Sequence, residues 1–191
     1  LQGLMSSLGQ LAAGGGVVVA HPFDAECFPA WVDEFQPTWY TGGPALHRSL
    51  IALCRERPDL KARLRFRLVR SIGAALAPAL LDELRAVLDV PVIEGYGLTE
   101  GGVVTTTPLV PYAPKAGSAG KRVWPGVEIM DEAGNLLPAG STGEIVLRGP
   151  NVVAGYRNDP VATRDAFRDG WFRTGDLGRF DDDGYLFVTG R

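Results

Sequence analysis

The sequence has 191 residues, of which 46% are hydrophobic and 21% charged, a composition typical of a soluble globular protein. A chain of this length forms one large domain or two small ones, each with its own core. The formal net charge of −3 argues against a polyanion-binding protein, so we expect no nucleic acid partner.

The first 20 residues are apolar over about the length of a membrane span. They also contain several glycines, serines and glutamines and have no basic start, so they predict neither a membrane span nor a signal peptide. The pattern predicts a core helix to about Ala13, a glycine turn and the strand Val17–Ala20. Because the sequence starts with Leu1 inside this packed element, we expect it to be a piece of a longer protein.

Between residues 1 and 107, short apolar strands alternate with helices. The predicted strands are Val17–Ala20, Thr38–Thr41, Leu68–Ile72 and Val90–Ile93, and the predicted helices are Asp24–Phe35, Pro44–Arg57 and Pro78–Leu88. Such alternation is typical of an α/β subdomain in which a parallel sheet is covered by helices on both faces.

The pattern changes near Thr107, where three prolines mark a loop. Short strands are predicted at Val127–Met130, Glu144–Arg148, Trp171–Arg173, Gly178–Phe180 and Tyr185–Val188, a helix at about Pro160–Phe167, and hairpin turns at Asp131–Asn135 and Asp181–Gly184. We therefore predict a parallel-sheet α/β subdomain over residues 1–115, followed by a small antiparallel distorted β-barrel over residues 116–191.

The cysteines and histidines do not form a metal-binding pattern. Cys27 and Cys54 lie in separate segments, outside any Cys-x-x-Cys or Cys/His cluster, and indicate reduced thiols in a cytoplasmic protein. His21 and His47 are isolated, which favours packing or hydrogen bonding over catalysis.

A basic segment, Arg55–Arg70, carries seven basic residues against two acidic ones. Phe66 is its one aromatic residue, so stacking on nucleic acid bases is not favoured. A solvated helix and loop fits the pattern best, and contact with a phosphate-rich cofactor is the second interpretation.

The segment Gly95-Tyr96-Gly97-Leu98-Thr99-Glu100 directly follows the predicted strand Val90–Ile93. Open α/β sheets bind ligands at the carboxyl ends of their strands. The glycines allow the backbone to approach a ligand, and the Tyr96 ring can stack on a flat base. The Thr99 hydroxyl and the Glu100 carboxylate suit a phosphate oxygen and Mg²⁺. The segment therefore predicts a turn that binds a base and a phosphate.

Two further segments carry weaker signals. Ser71–Pro78 ends a predicted strand with small residues that can form a wall for a planar base. Asp176 follows a glycine and can accept hydrogen bonds from a ribose diol, each worth about 1.5–3 kcal/mol when charge-assisted. Each segment, taken alone, also fits an ordinary turn.

Together these motifs resemble those of the AMP-forming acyl-CoA synthetases, a family that includes peptide-synthetase adenylation domains and beetle luciferases. The motifs occur in the family's order over essentially the whole chain: Gly95–Glu100, Gly143–Gly149 with Gly155–Tyr156, Trp171–Asp176 and Tyr185–Arg191. The resemblance implies a structural role for Gly143–Tyr156, which shapes the barrel in this family.

The resemblance also implies roles for single residues. The nucleotide would be bound by Gly73, Ala74, Ala75, Glu94, Gly95, Tyr96, Gly97 and Leu98. Among these, the Tyr96 ring would lie against the adenine face. Thr99 would hydrogen-bond the α-phosphate and Glu100 would ligate Mg²⁺, which makes these two the catalytic candidates. Asp176 and Arg191 would hold the ribose hydroxyls.

The implied reaction has two steps and uses ATP, Mg²⁺ and coenzyme A. A carboxylic acid first attacks the α-phosphate to form an acyl-adenylate and pyrophosphate, and a thiol then displaces AMP. The acyl pocket would lie near Tyr40–Pro44 and beneath Gly95–Gly101. The family's phosphate loop and its C-terminal lysine have no counterpart in the sequence, so the isolated chain is expected to be inactive.

Two alternatives stay open. The acceptor thiol can belong to a carrier protein instead of coenzyme A, as in adenylation domains. A non-catalytic interaction or assembly module that retains the fold is the second alternative, since exposed truncation surfaces would favour self-association.

Overall fold

A computed structural model of the protein describes residues 2–20, 23–109 and 114–191. The prediction for His21 falls outside these ranges. The contacts within the chain separate two units, Gly3–Glu94 and Gly95–Arg191. The subdomain boundary at residues 115 and 116 stays a prediction. In the described ranges, no helix combines the length and apolarity needed to cross a membrane.

The first unit, Gly3–Glu94, contains a parallel sheet and five helices among its described residues. The helices are α1 (Gln2–Ala12), α2 (Phe28–Phe35), α3 (Pro44–Glu56), α4 (Pro58–Arg63) and α5 (Pro78–Leu88), and the strands are β1 (Trp39–Gly42), β2 (Leu68–Ser71) and the start of β3 (Val92–Leu98). Strand β2 pairs in parallel with β1 on one side and with residues 92–94 of β3 on the other. The parallel arrangement predicted from the alternating pattern is confirmed.

Helices lie on both faces of this sheet, and the side chains of each strand point alternately to the two faces. On one face Val69 packs against α3 and α5 in a buried cluster that includes Ile51 and Leu84. On the other face α1 meets the sheet through polar contacts: Trp39 Nε1 donates to Gln10 Oε1 at 3.3 Å, and Arg70 Nη1 donates to the Ser6 hydroxyl at 2.9 Å.

Two expectations for the first 20 residues do not hold. Helix α1 forms, but its apolar side chains are not core, since Leu4, Met5, Leu8 and Leu11 are 52–59% exposed. The strand predicted at Val17–Ala20 is wrong, because this segment is irregular and Val19 is 81% exposed. A strand needs a partner for its backbone groups, and none pairs with this segment in the part of the chain that the structure describes.

The second unit, Gly95–Arg191, is antiparallel. Its elements are residues 95–98 of β3, β4 (Gly102–Thr106), β5 (Lys121–Arg122), β6 (Val127–Met130), β7 (Gly143–Leu147), α6 (Pro160–Ala166), β8 (Phe167–Arg168), β9 (Trp171–Phe180) and β10 (Leu186–Gly190). Strands pair in the order β10-β9-β7-β6, β8 pairs with β9, and β4 pairs with β3 and β5. One core joins Val104 of β4 to Ile145, Phe172 and Leu186 of the larger sheet. The predicted small barrel is confirmed as a curled antiparallel half-barrel.

At two places where the sequence predicted that a strand would end, the structure has a continuous strand. Gly95–Leu98, expected to be a turn, belongs to β3 and pairs with β4, and the turn itself is Thr99–Gly101. The two strands predicted between Trp171 and Phe180 form the single strand β9, which bends at Gly175 with a φ of +73°. In both cases the backbone forms hydrogen bonds with a partner strand that is distant in sequence. This pairing outweighs the local preference of glycine-containing segments for a turn.

The approach to β5 depends on Gly120, which adopts a φ of +88°. The Gly120 carbonyl accepts a hydrogen bond from Leu186 N at 2.9 Å. A Cβ at this position would lie against the backbone of Thr106 and Thr107, well inside van der Waals contact. A side chain is therefore excluded here by space as well as by backbone conformation.

We predict that Gly120→Ala lowers the free energy of unfolding by about 3 kcal/mol or more, because it adds a steric clash to a left-handed conformation. Gly117→Ala is the matched control, since Gly117 has a φ of +74° but open space around it, and should cost only about 1 kcal/mol. Urea denaturation followed by circular dichroism measures both. Equal losses in the two variants would contradict the role of close packing at Gly120.

Candidate functional site

Asp176 of β9 lies between an aromatic hydroxyl and a guanidinium in the second unit. The Tyr96 hydroxyl donates to Asp176 Oδ2 at 2.6 Å, and Arg191 Nε lies 3.1 Å from Asp176 Oδ1. The Asp176 side chain is only 15% exposed, whereas that of Arg191 is 80% exposed. Three residues predicted from separate motifs therefore meet around one carboxylate.

Tyr96 holds its hydroxyl in a fixed position because its ring packs against the half-barrel core. Burial, together with the hydrogen bond to Asp176, raises the pKa of Tyr96 above its usual range. The hydroxyl therefore stays protonated near neutral pH and acts as a donor to the carboxylate.

The backbone around Asp176 is held by two side chains of the second unit. The buried Thr174 hydroxyl accepts from Asp176 N at 3.0 Å and donates to the Ile145 carbonyl at 2.7 Å. Glu144 Oε1 accepts from Gly175 N at 2.9 Å, and its Oε2 accepts from Arg173 Nε at 2.8 Å. Residue patterns alone do not identify Glu144 as a support of this bend, although its place in the Gly143–Gly149 motif was a signal.

Glu100 lies in the hairpin turn between β3 and β4, beside the exposed Thr99. Its Oε1 accepts a hydrogen bond from the Tyr156 hydroxyl at 3.0 Å, and its carbonyl accepts from Val153 N at 2.8 Å. Asn151 Nδ2 also donates to the Gly101 carbonyl at 2.8 Å. The loop at residues 149–157, for which only a structural role was expected, therefore holds the Glu100 turn.

Burial is the main reason that the pKa of Tyr156 is raised, and the hydrogen bond to Glu100 adds to the effect. Tyr156 therefore also remains a donor near neutral pH. Tyr156 binds one carboxylate oxygen of Glu100. Among the described residues no side chain donates to the second oxygen, so that oxygen can bind a ligand.

Glu100 is a single carboxylate, and no group of three His, Cys, Asp or Glu side chains suited to a metal ion occurs among the described residues. Mg²⁺ is commonly held by one or two carboxylates, with water and substrate phosphates supplying the other ligands. The donor set therefore fits a Mg²⁺ ion that binds together with a nucleotide, and not a resident metal cage.

The remaining predicted site residues belong to β3 and to the first unit. Gly97 pairs with Val103 in the β3–β4 hairpin, and Leu98 packs against the half-barrel core. Gly73, Ala74 and Ala75 follow β2 as an exposed bend, with Gly73 at a φ of +86°. Glu94 lies opposite Ser71 in the pairing of β2 with β3, and burial raises the pKa of its carboxyl.

A chain of hydrogen bonds through His47 links the end of β2 to β1 in the first unit. His47 is fully buried, with its Nε2 at 3.0 Å from the Ser71 hydroxyl and its Nδ1 at 2.8 Å from the Tyr40 hydroxyl. Burial lowers the pKa of His47 to about 4, so the ring is neutral near pH 7. His47 is thus a packing and hydrogen-bonding residue, as its isolation in the sequence predicts.

Known proteins resemble the chain in sequence and in structure. A family model described as AMP-binding enzyme matches residues 2–157. The chain is 40% identical to the oxalate–CoA ligase of Arabidopsis thaliana over an alignment of 196 residues, which covers 100% of this chain and 37% of that protein. It is 36% identical to the sulfoacetate–CoA ligase of Cupriavidus necator over 192 residues, covering 98% of this chain and 36% of that protein.

Among solved structures, the chain resembles a malonyl-CoA ligase in a ternary product complex with methylmalonyl-CoA and AMP. The TM-score is 0.80 at 35% identity, and the match covers 96% of this chain and 40% of that one. The chain therefore spans little more than a third of the length of these relatives. The order of its motifs, the match of its fold and the match to the family model agree, and the chain belongs to the family of AMP-binding enzymes.

Proposed function

We propose that the chain is the nucleotide-binding part of an ATP-dependent, AMP-forming ligase that joins a carboxylic acid to coenzyme A. The observation that carries the proposal is the contact of Tyr96 and Arg191 with Asp176, because it joins three family motifs at one carboxylate. The names of the similar proteins, which are CoA ligases for small acids, support the same reaction class.

Asp176 is proposed to bind the ribose. Its Oδ2 is held by Tyr96, whereas among the described residues its Oδ1 contacts only the exposed Arg191. Because the Arg191 side chain is largely solvated, its ion pair with Asp176 is screened by water, and ribose hydroxyls can replace or share it. Arg191 would then hold the same hydroxyls or a neighbouring oxygen of the nucleotide.

Thr99 and Glu100 are proposed to act at the α-phosphate. The exposed Thr99 hydroxyl can donate to a phosphate oxygen, and Glu100 would ligate Mg²⁺ through its free carboxylate oxygen while Tyr156 holds the other. A bound Mg²⁺ ion neutralises negative charge on phosphate oxygens. These residues position and stabilise charge, which is the main contribution of a protein to phosphoryl-centre chemistry.

The reaction balances over two steps. In the first, a carboxylate oxygen of the acid forms a bond to the α-phosphorus and the bond to pyrophosphate breaks. In the second, the coenzyme A sulfur attacks the acyl carbon, loses its proton and releases AMP.

The remaining candidate residues are proposed to contribute to adenine binding. They are Gly73, Ala74, Ala75 and Glu94 of the first unit and Gly95, Gly97 and Leu98 of β3.

A non-catalytic assembly role is the second candidate. The exposed apolar side chains of α1 favour contact with a further polypeptide surface. Nucleotide binding separates the two candidates, since an assembly module has no need to bind AMP.

The first test is calorimetric titration of the protein with AMP. We expect binding, and we expect Asp176→Asn to weaken it about 10- to 100-fold, because a charge-assisted hydrogen bond contributes about 1.5–3 kcal/mol. Asp182→Asn, in an exposed hairpin turn, is the matched control and should bind like the unaltered protein. No heat with AMP would favour the assembly role, and full affinity in Asp176→Asn would overturn the ribose assignment.

The second test concerns Glu100 and uses Mn²⁺ as a spectroscopic substitute for Mg²⁺. In the presence of ATP, Glu100→Gln should weaken Mn²⁺ binding at least about 10-fold in electron paramagnetic resonance titrations, because a charged ligand is replaced by a neutral one. Tyr156→Phe should have a smaller effect in the same direction. Glu132→Gln, in the exposed turn after β6, is the control. Unchanged Mn²⁺ affinity in Glu100→Gln would rule out its role as a metal ligand.

A further inference from the structure

Arg70 is the exception within the basic segment of the first unit. Arg55 and Arg57 are exposed and Arg63 is partly exposed, and these residues form ion pairs with Glu83, Asp59 and Asp33, as expected for a solvated surface. Arg70 instead lies half-buried on β2, and no carboxylate of the described residues is within ion-pair distance of it. Arg70 Nη1 donates a hydrogen bond to the Ser6 hydroxyl of α1 at 2.9 Å.

A second polar group lies beside Arg70 on the same face of the sheet. Thr41 of β1 is the register partner of Arg70, so the two side chains point to one side of the parallel pair. The Thr41 hydroxyl is buried and has no hydrogen-bond partner among the described residues. Buried hydroxyls are nearly always satisfied, so the Thr41 hydroxyl calls for a hydrogen-bond partner.

Both neighbours of Arg70 border a cavity of the first unit. Thr41 and Ser6 line this cavity of about 730 Å³, together with aromatic side chains that include Trp39 and Phe28. Even partial burial of a charge without a counter-ion has a cost, and a guanidinium cannot relieve that cost by losing its proton near neutral pH. An anionic group that accepts from the guanidinium and from the two hydroxyls would satisfy all three side chains.

We propose that Arg70, Ser6 and Thr41 form a subsite for a second anionic group of the substrate. This inference rests on the proposed ligase function and names its substrate class: a small acid that carries a carboxylate or sulfonate in addition to the carboxylate that is activated. Oxalate and sulfoacetate, which appear in the names of two similar proteins, have such a second group, as does the methylmalonyl group bound in the similar malonyl-CoA ligase.

The experiment uses the complete ligase that contains this chain and compares acids of similar shape. In propionate a methyl group takes the place of one carboxylate of malonate. The same methyl group takes the place of the sulfonate of sulfoacetate. For the unaltered enzyme we expect kcat/KM for acyl-CoA formation to be at least about 100-fold higher with malonate or sulfoacetate than with propionate. In Arg70→Leu this ratio should fall about 100-fold, which is the effect expected when a charged recognition group is lost.

Controls separate recognition from folding. Arg55→Leu removes an exposed guanidinium and should keep the ratio of the unaltered enzyme, while Arg70→Lys should retain part of it. Thr41→Val conserves shape and should lower the ratio about 10-fold, which provides a second test if Arg70→Leu does not fold. Calorimetry with AMP reports whether the nucleotide site is intact in each variant.

The outcomes distinguish this inference from the ligase function. An enzyme that forms acyl-CoA from propionate as readily as from malonate and sulfoacetate would overturn the subsite and leave the ligase function standing. Equal losses for all three acids in Arg70→Leu would show a structural role and also overturn it. An enzyme that forms acyl-CoA from no acid, yet whose calorimetric affinity for malonate falls in Arg70→Leu, would retain the subsite and overturn the ligase function.

Discussion

The hydrogen bond from Tyr96 to Asp176 is the interaction on which the candidate nucleotide site depends. It joins β3 to β9 through a carboxylate that is 15% exposed, and its loss would leave Asp176 Oδ2 without the hydrogen bond that Tyr96 donates. Thr174 and Glu144 hold the backbone amides of Asp176 and of the preceding Gly175, so the acceptor is in place before any ligand arrives. Such preorganisation is what a ribose site needs, because ordering a flexible side chain on binding would reduce affinity.

Local patterns predicted most of the architecture but not the contacts of the site. The helices α3 and α5 and the parallel strands followed from apolar spacing and from prolines at the helix starts. Gly95–Leu98 was assigned to a turn because its glycines favour one locally, whereas β4 pairs with it as a strand. Tyr96 and Asp176 are 80 residues apart, and Glu100 and Tyr156 are 56 apart, so these contacts follow from strand register that no local pattern specifies.

Burial affects the charge of two basic side chains of the first unit in different ways. His47 becomes neutral, since its pKa falls to about 4, and it then bridges Tyr40 and Ser71 within the core. Arg70 keeps its charge, because a guanidinium does not lose its proton in this pH range. His47 therefore holds the end of β2 through Ser71, whereas the charge of Arg70 is the basis of the anionic subsite that we propose.

Photoaffinity labelling with an azido-adenine analogue of AMP tests whether β3 and β9 together bind the nucleotide. After irradiation, peptide mass spectrometry should locate the label within the β3 segment around Tyr96, and excess AMP should suppress it. The label should also be lost in Asp176→Asn, in which the ribose acceptor is altered. Labelling outside β3 and residues 73–75, or labelling that AMP does not suppress, would contradict nucleotide binding by β3 and β9.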